Sequence, residues 1–408
     1  MTAGFDCINN QENQGERTMT KRLAPSQDGT QKRAESSGRS FKSFKRLALL
    51  LLSLVLIVSA AACGGAPAVA AKDVLTVGFI YVGPIGDGGY TFSHNEGRLY
   101  LEKELGSKVK TIYRESVLEN AQDVEKAMND MIAQGAKVIF ATSFGYMESV
   151  DKIAKENPNV KFFHCSGYRS NTTNFVNYFG RIEQARYLSG IVAGMKTKSN
   201  KLGYVGAFSI PEVVRGINAY TLGAQSVNPA VIVKVRWTHT WYDPTKEKEA
   251  AVSLLDEGCD VIAQHQDTTS AQVAAEEKGA FAIGYNTDSP KAAPKAYLTA
   301  PIWNWGPYYA SQVKAILGNT WKPENYWGGM KDGIVALAPL TSLVPAGAKA
   351  KIDELSAKIK DGSFNIFSGP ILDQDGKEKI AAGSAVDDAG QLEMDWFVKG
   401  VEGTIEKN

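Results

Sequence analysis

From Val74 onward, short apolar runs alternate with longer stretches whose apolar positions recur every three or four residues. The first pattern predicts buried strands and the second amphipathic helices. Strands are expected at 74–82, 109–114, 138–141 and 160–164, with helices at 91–105, 119–134 and 147–156 between them. After a long helix at 182–196 the series begins again, with strands at 202–205, 231–236, 261–264 and 281–285 and helices at 212–226, 244–256 and 270–278. Alternating strands and helices with few hairpin signals predict an α/β chain in which each series forms a parallel sheet flanked by helices. The two series share a design: residues 134–141 (QGAKVIFA) lie over 257–264 (EGCDVIAQ), each with a helix on both sides. In that register Phe144 falls opposite Asp267, and Ser166 lies close to Asn286. Two such lobes predict a clamshell with its cleft built from both sets of strand ends. Residues 74–180 and 301–341 are expected to form the first lobe, through a helix at 307–317 and a strand at 333–337. The second lobe covers 181–300, and 342–408 forms a C-terminal arm packed on the lobes.

The first 73 residues differ in kind. Residues 1–46 are polar, without an apolar period, and read as a disordered leader and n-region, with Met19 an alternative start to Met1. Lys42, Lys45 and Arg46 precede the apolar run 47–62, which is too short and too rich in small residues at its end for a membrane span. It reads as the h-region of a signal peptide. Residues 63–73 follow, a cysteine and a Gly/Ala/Pro linker. Ala60-Ala61-Ala62-Cys63 resembles a bacterial lipobox, apart from Ala60 where Leu is usual, and predicts lipidation of Cys63. The mature chain would then be extracytoplasmic and anchored to the bacterial cell membrane. Of the other cysteines Cys7 would be removed, and Cys165 and Cys259 read as small packed residues.

The 45 basic and 44 acidic residues nearly cancel. No global field therefore favours nucleic acid as a partner. The chain has no GxSxG elbow, no HExxH and no Walker loop, and its four histidines are scattered at 94, 164, 239 and 265. The expectation is a binding protein, not an enzyme, with no cofactor and no metal site.

The candidate chemistry sits at the predicted strand ends. Gly83, Pro84, Gly86, Gly88 and Gly89 stop the first strand abruptly and surround Asp87, with Tyr90 directly after. Other strand ends carry Phe144, Trp241, Asp267, Asp288 and Trp303. Aromatic faces stack on planar rings and carboxylates accept from ring N–H groups, which suits a heteroaromatic compound such as a purine. The same pairing would also suit a sugar.

Several segments carry a more specific likeness: 87–97 (DGGYTFSHNEG), 180–190 (GRIEQARYLSG), 210–213 (IPEV), 284–288 (GYNTD) and 396–403 (WFVKGVEG). Through them the chain resembles the BMP family of ABC-transporter substrate-binding lipoproteins, relatives of the purine nucleoside receptor. The resemblance implies a periplasmic-binding-protein-like clamshell, a small-molecule purine ligand, ABC permease and ATPase subunits as partners, and a monomeric binding protein. It places the family's first-loop acid on Asp87, its stacking aromatic on Tyr90 and its second-lobe acid on Asp288. It also shows two departures. Gly216 stands where nucleoside-binding members carry an aromatic, and residues 301–306 lack the sugar-contacting lysine. A nucleobase, adenine- or guanine-like, is therefore expected in the cleft; a purine nucleoside, or a surface receptor's sugar or other ring compound, is the alternative.

Overall fold

The computed structural model describes residues 74–406. The signal-peptide and lipobox readings fall on residues 1–73, outside that range. The first sheet is built from β1 (Leu75–Ile80), β2 (Val109–Arg114), β3 (Val138–Ala141), β4 (Lys161–Cys165) and β5 (Phe175–Gly180). Between them run α1 (Tyr90–Leu105), α2 (Ala121–Ala133) and α3 (Met147–Glu156). The second sheet follows α4 (Glu183–Lys196) and comprises β6 (Lys201–Gly206), β7 (Ile232–Trp237), β8 (Val261–His265), β9 (Phe281–Ile283) and β10 (Tyr297–Thr299). Its intervening helices are α5 (Pro211–Gln225), α6 (Pro244–Asp256) and α7 (Ser270–Glu277).

Both sheets have six strands, all parallel, and the same internal order: β5-β4-β3-β1-β2 in the first and β10-β9-β8-β6-β7 in the second. The repeat visible in the sequence is thus a repeat of topology. Central strands β3 and β8 are buried along their whole length, as continuous apolar runs between two helical layers must be. In each sheet the winding reverses beside the first strand, and there the loops leaving neighbouring strands diverge and open a crevice.

Later elements close the two sheets. β11 (Pro301–Trp303) and β13 (Val335–Leu337) form a short antiparallel pair, while β12 (Tyr326–Gly328) adds to β5 at the edge of the first sheet. Between β11 and β12, α8 (Gly306–Leu317) packs against α1. The C-terminal residues contribute α9 (Ala348–Asp361) against α4, the pair β14 (Ile371–Leu372) and β15 (Glu378–Ile380), α10 (Asp388–Leu392) and β16 (Val401–Glu402). β16 pairs with β7, so the chain's last strand completes the second sheet.

Local chemistry explains several boundaries. Asn120 caps α2 by accepting from the Asp123 amide, and Asp243 caps α6 by accepting from the Thr245 and Lys246 amides, with Pro244 preorganised at the first helical position. Helices α4 and α5 cross in near backbone contact. A Cβ on Gly190 would lie 2.0 Å from the Tyr220 carbonyl oxygen, and one on Gly223 2.0 Å from that of Tyr187. Cys165 and Cys259 are buried and unpaired. Among the described residues no helix is long and apolar enough to cross a membrane.

Candidate functional site

The loop after β1 shapes itself around Asp87. One carboxylate oxygen accepts from the Gly89 and Phe92 amides at 2.8 and 2.9 Å, and the other from the Thr91 amide at 2.9 Å. Both oxygens serve the start of α1, where its unpaired N–H groups need acceptors. Burial pushes the Asp87 carboxyl up to about 6, against the pull of those three amides. Asp87 therefore fixes the loop and does not line the cavity beyond it.

That loop meets the second lobe directly. A Cβ on Gly89 would sit 2.1 Å from the Asp267 carbonyl oxygen, and the Thr287 hydroxyl donates to the Gly88 carbonyl at 2.6 Å. The lobes are closed on each other, and only a glycine allows this approach at position 89.

Inside the closure lies an enclosed cavity walled by Val82, Tyr90, Ser143, Phe144 and Ser166 from the first lobe and by Glu212, Trp241, His265, Asp267 and Tyr285 from the second. Apart from Tyr90 and Glu212, which sit at helix starts, these residues lie at or just beyond the C-terminal ends of parallel strands. The free space is about 20 Å³. That is room for a water molecule and too little for a planar heterocycle, so a ligand requires the lobes to part slightly.

The sequence-predicted residues divide. Tyr90, Phe144, Trp241 and Asp267 come together on this cavity, whereas Asp87 lies behind it and Asp288 and Trp303 lie elsewhere. Asp288 accepts from the Tyr297 hydroxyl at 2.8 Å, and Trp303 donates to Asn286 at 2.9 Å while stacking on Trp305. Both border a separate surface cleft beside α1.

Four polar residues of the site carry their own logic. Glu119, just before α2, accepts from the Trp241 indole at 3.0 Å across the cleft, and from the Ser143 hydroxyl and Gly145 amide on its own side. Glu212 accepts from the Ser166 hydroxyl at 2.6 Å, also across the cleft, and lies 3.2 Å from His265 Nε2. Burial opposes its charge, but the hydrogen bonds from His265 and Ser166 outweigh that and hold the carboxyl below its usual range. Burial pushes the His265 imidazole down to about 4, so it stays neutral near pH 7 and its Nε2–H serves Glu212. Asp267 is the opposite case. Burial, then the charges of Asp87, Glu247, Glu119 and Glu212, push its carboxyl well above the usual range.

Asp267 Oδ2 and His265 Nδ1 are buried without a hydrogen-bond partner. A buried polar group left unpaired costs about 1 to 3 kcal/mol, which a ligand offering the complementary atoms would recover. A protonated Asp267 supplies one donor and one acceptor. The walls thus present aromatic faces, two ionisable acids and a neutral imidazole, a set suited to a ring compound rich in N–H groups.

Two further positions mark the repeat. Ser166 and Asn286 adopt φ 68° and 69°, a conformation uncommon for residues with a Cβ, at corresponding strand ends of the two lobes. Gly216 lies buried in α5; a Cβ there would have Tyr204 Oη at 3.6 Å and Arg186 Nε at 3.7 Å as its nearest neighbours. The Arg186 guanidinium lies over Tyr285, 3.7 Å from the ring centre, and donates to the Gln264 carbonyl at 2.7 Å.

Glu119, Glu212, His265 and Tyr285 were not among the residues predicted. Glu212 stands in the 210–213 segment quoted above, and its place at the first turn of a helix after a strand was the available signal. Glu119 reaches the site only through the fold of its loop, which no pattern in the sequence marks.

With this geometry, comparison with known proteins is decisive. The profile of the Bmp family, described as ABC transporter substrate-binding protein PnrA-like, matches residues 74–365. The chain belongs to the Bmp family. It is similar to a purine-binding protein of Brucella abortus, 46% identical over 81% of this chain and 94% of the relative. It is also similar to a Haloferax volcanii protein whose name gives it a proposed glucose-binding role in an ABC transporter, at 35% identity over 84% and 83% of the two chains. Among solved structures, a solute-binding protein of an Aeropyrum pernix ABC transporter system superposes with a TM-score of 0.63 at 20% identity, covering 72% of this chain and 94% of that one. At that identity the likeness speaks for the fold, two parallel-sheet lobes of the periplasmic-binding type. As a Bmp member, the chain is a substrate-binding protein of the ABC-transporter kind.

Proposed function

We propose that this Bmp protein is an extracytoplasmic, lipid-anchored receptor that binds a purine nucleobase between its lobes and hands it to an ABC permease and its ATPase. The observation that carries the reading is Asp267. Its Oδ2 is buried on the cavity wall without a partner, and burial together with the neighbouring acids favours the protonated form, whose O–H donor and C=O acceptor complement the adjacent N–H and ring-nitrogen edges of a purine. Tyr90, Phe144 and Trp241 supply faces for the ring. The 46% identical relative named for purine binding supports the same ligand class.

Glucose is the second reading, favoured by the Haloferax relative. Sugar hydroxyls donate to ionised carboxylates, but in this cavity the ionised Glu212 is already engaged by Ser166 and His265, and burial with neighbouring acids disfavours the charged form of Asp267. We read no catalytic step in the site. Ser166, Glu212 and His265 are linked with the carboxylate in the middle, so no imidazole meets the serine hydroxyl as general base.

In this reading residues 74–180 and 301–341 form the first lobe, 181–300 the second, and 342–408 the arm whose last strand joins the second sheet. Cys63 carries the lipid, and the protein works as a monomer. Mass spectrometry of protein purified from its native membrane tests both parts of the proposal. A purine base released on denaturation and a diacylglyceryl adduct on Cys63 are the expected results. A released hexose would refute the ligand, and an unmodified N-terminus without Cys63 would refute the anchor.

A further inference from the structure

Closing the lobes gathers acids from both of them. The first lobe brings Asp87 and Glu119 to the interface, and the second brings Glu212, Glu247 and Asp267. Asp87, Glu247 and Asp267 are buried, Glu212 is partly buried, and Glu119 stands at the exposed rim. Among the described residues no lysine or arginine forms a salt bridge with any of the five. Arg215 of α5 pairs with Glu183 at 3.4 Å, and Arg186 of α4 donates to the Gln264 carbonyl while lying over Tyr285. His265, which touches Glu212, is neutral near pH 7. Nor, among the described residues, do three such groups converge closely enough to hold a metal ion.

Hydrogen bonds serve these acids unequally. Three amides meet Asp87, the Thr268 hydroxyl and Asp243 amide meet Glu247, Trp241 meets Glu119, and Ser166 meets Glu212. Asp267 differs, because its Oδ2 is buried without a partner. The other four acids surround it, and the uncharged rings of Tyr90, His265 and Tyr285 complete the wall. A carboxylate so placed is costly in its charged form, and a proton both removes the charge and turns the unpaired oxygen into a donor. In an open cleft the same group meets water, and Asp87 and Glu119 withdraw with the first lobe.

We propose that closure of the lobes takes up a proton from solvent on Asp267, so that ligand and proton are captured together. That proton makes the O–H which the purine reading assigns to Asp267; the inference deepens that reading, and its calorimetric test rests on it. Because the closed form holds the proton and the open form does not, affinity falls as pH rises, by up to about tenfold per pH unit for one proton. Release is favoured on the alkaline side.

Calorimetry of adenine and guanine with the ligand-stripped protein, in phosphate and in Tris at pH 7, reads the proton directly. The two heats differ by the difference in buffer ionisation enthalpy for each proton taken up. The native protein should take up at least half a proton per base bound, and its affinity should fall at least tenfold from pH 5.5 to pH 8. Asp267→Asn stays neutral, so its uptake should vanish and its affinity should change less than threefold. Equal heats in the two buffers, or an uptake that persists in Asp267→Asn, refute the inference and leave the purine reading standing. If neither base binds the native protein, the purine reading fails; in that case, or if only the variant loses binding, small-angle scattering of the ligand-stripped proteins decides. A radius of gyration that grows from pH 5.5 to pH 8 in the native protein and not in Asp267→Asn supports proton-linked closure. A native radius that does not grow, or growth shared by the variant, refutes it.

Discussion

Asp267 and Glu247 show how burial and like charge act together on single side chains. Glu247 is buried beneath the site, accepts from Thr268 and the Asp243 amide, and is pushed by burial up to about 7. It adds to the charges that raise Asp267. An acid whose folded value lies above its unfolded one binds its proton more tightly when folded. Its contribution to stability is therefore complete below the ordinary value near 4.5 and is lost as pH rises through about 7. The loss is on the order of 3 kcal/mol. Glu247→Gln is neutral at every pH, so its stability in urea should fall less than the native protein's between pH 5 and pH 8. Parallel pH profiles for the two proteins would show that Glu247 is not held protonated. Individual residues were only partly legible in the sequence. Tyr90, Phe144, Trp241 and Asp267 could be named because strand-end aromatics and acids stand out against apolar runs. Asp87 stood in the same kind of position but is spent on capping α1, and Asp288 is taken up by Tyr297. Which acid faces the cavity and which serves its own loop depends on hydrogen-bond geometry that a strand-end position leaves open.

Elements were more legible than sites because burial on both faces leaves long apolar runs. Strands β1 to β4 and β6 to β9 fall where the periodicity puts them, within a few residues. The apolar pattern predicts no strand at β5, although it is rich in aromatics, and β10 to β12 are three residues each, too short for any period to register. β16 gains its identity only by pairing with β7, a contact made across much of the chain. The loop from Gly83 to Gly89 is the element most directly tied to function, because its last glycine touches the Asp267 backbone. Gly89→Ala should leave the lobes folded while blocking their closure. Small-angle scattering of the two ligand-stripped proteins should then show a larger radius of gyration for the variant than for the native protein. A variant with the native radius would mean that the contact at Gly89 is not what limits closure.

Two copies of one topology face each other across a cleft that is closed by three polar ties: Glu119 to Trp241, Ser166 to Glu212 and Thr287 to Gly88. Each tie joins segments that follow parallel strands of the two sheets, Glu212 from the first turn of α5. The repeated strand–helix series and the family-like segments in the sequence already pointed to a two-lobed substrate-binding protein; the tightness of the closure emerges only in three dimensions. The claim at the centre is that the cleft holds a purine base. Isothermal titration of the ligand-stripped protein with adenine, guanine and glucose in parallel tests it most directly. At least one base should bind at one per chain, more tightly than glucose by well over the tenfold that corresponds to 1.4 kcal/mol. Saturable binding of glucose with no heat from either base would contradict the account.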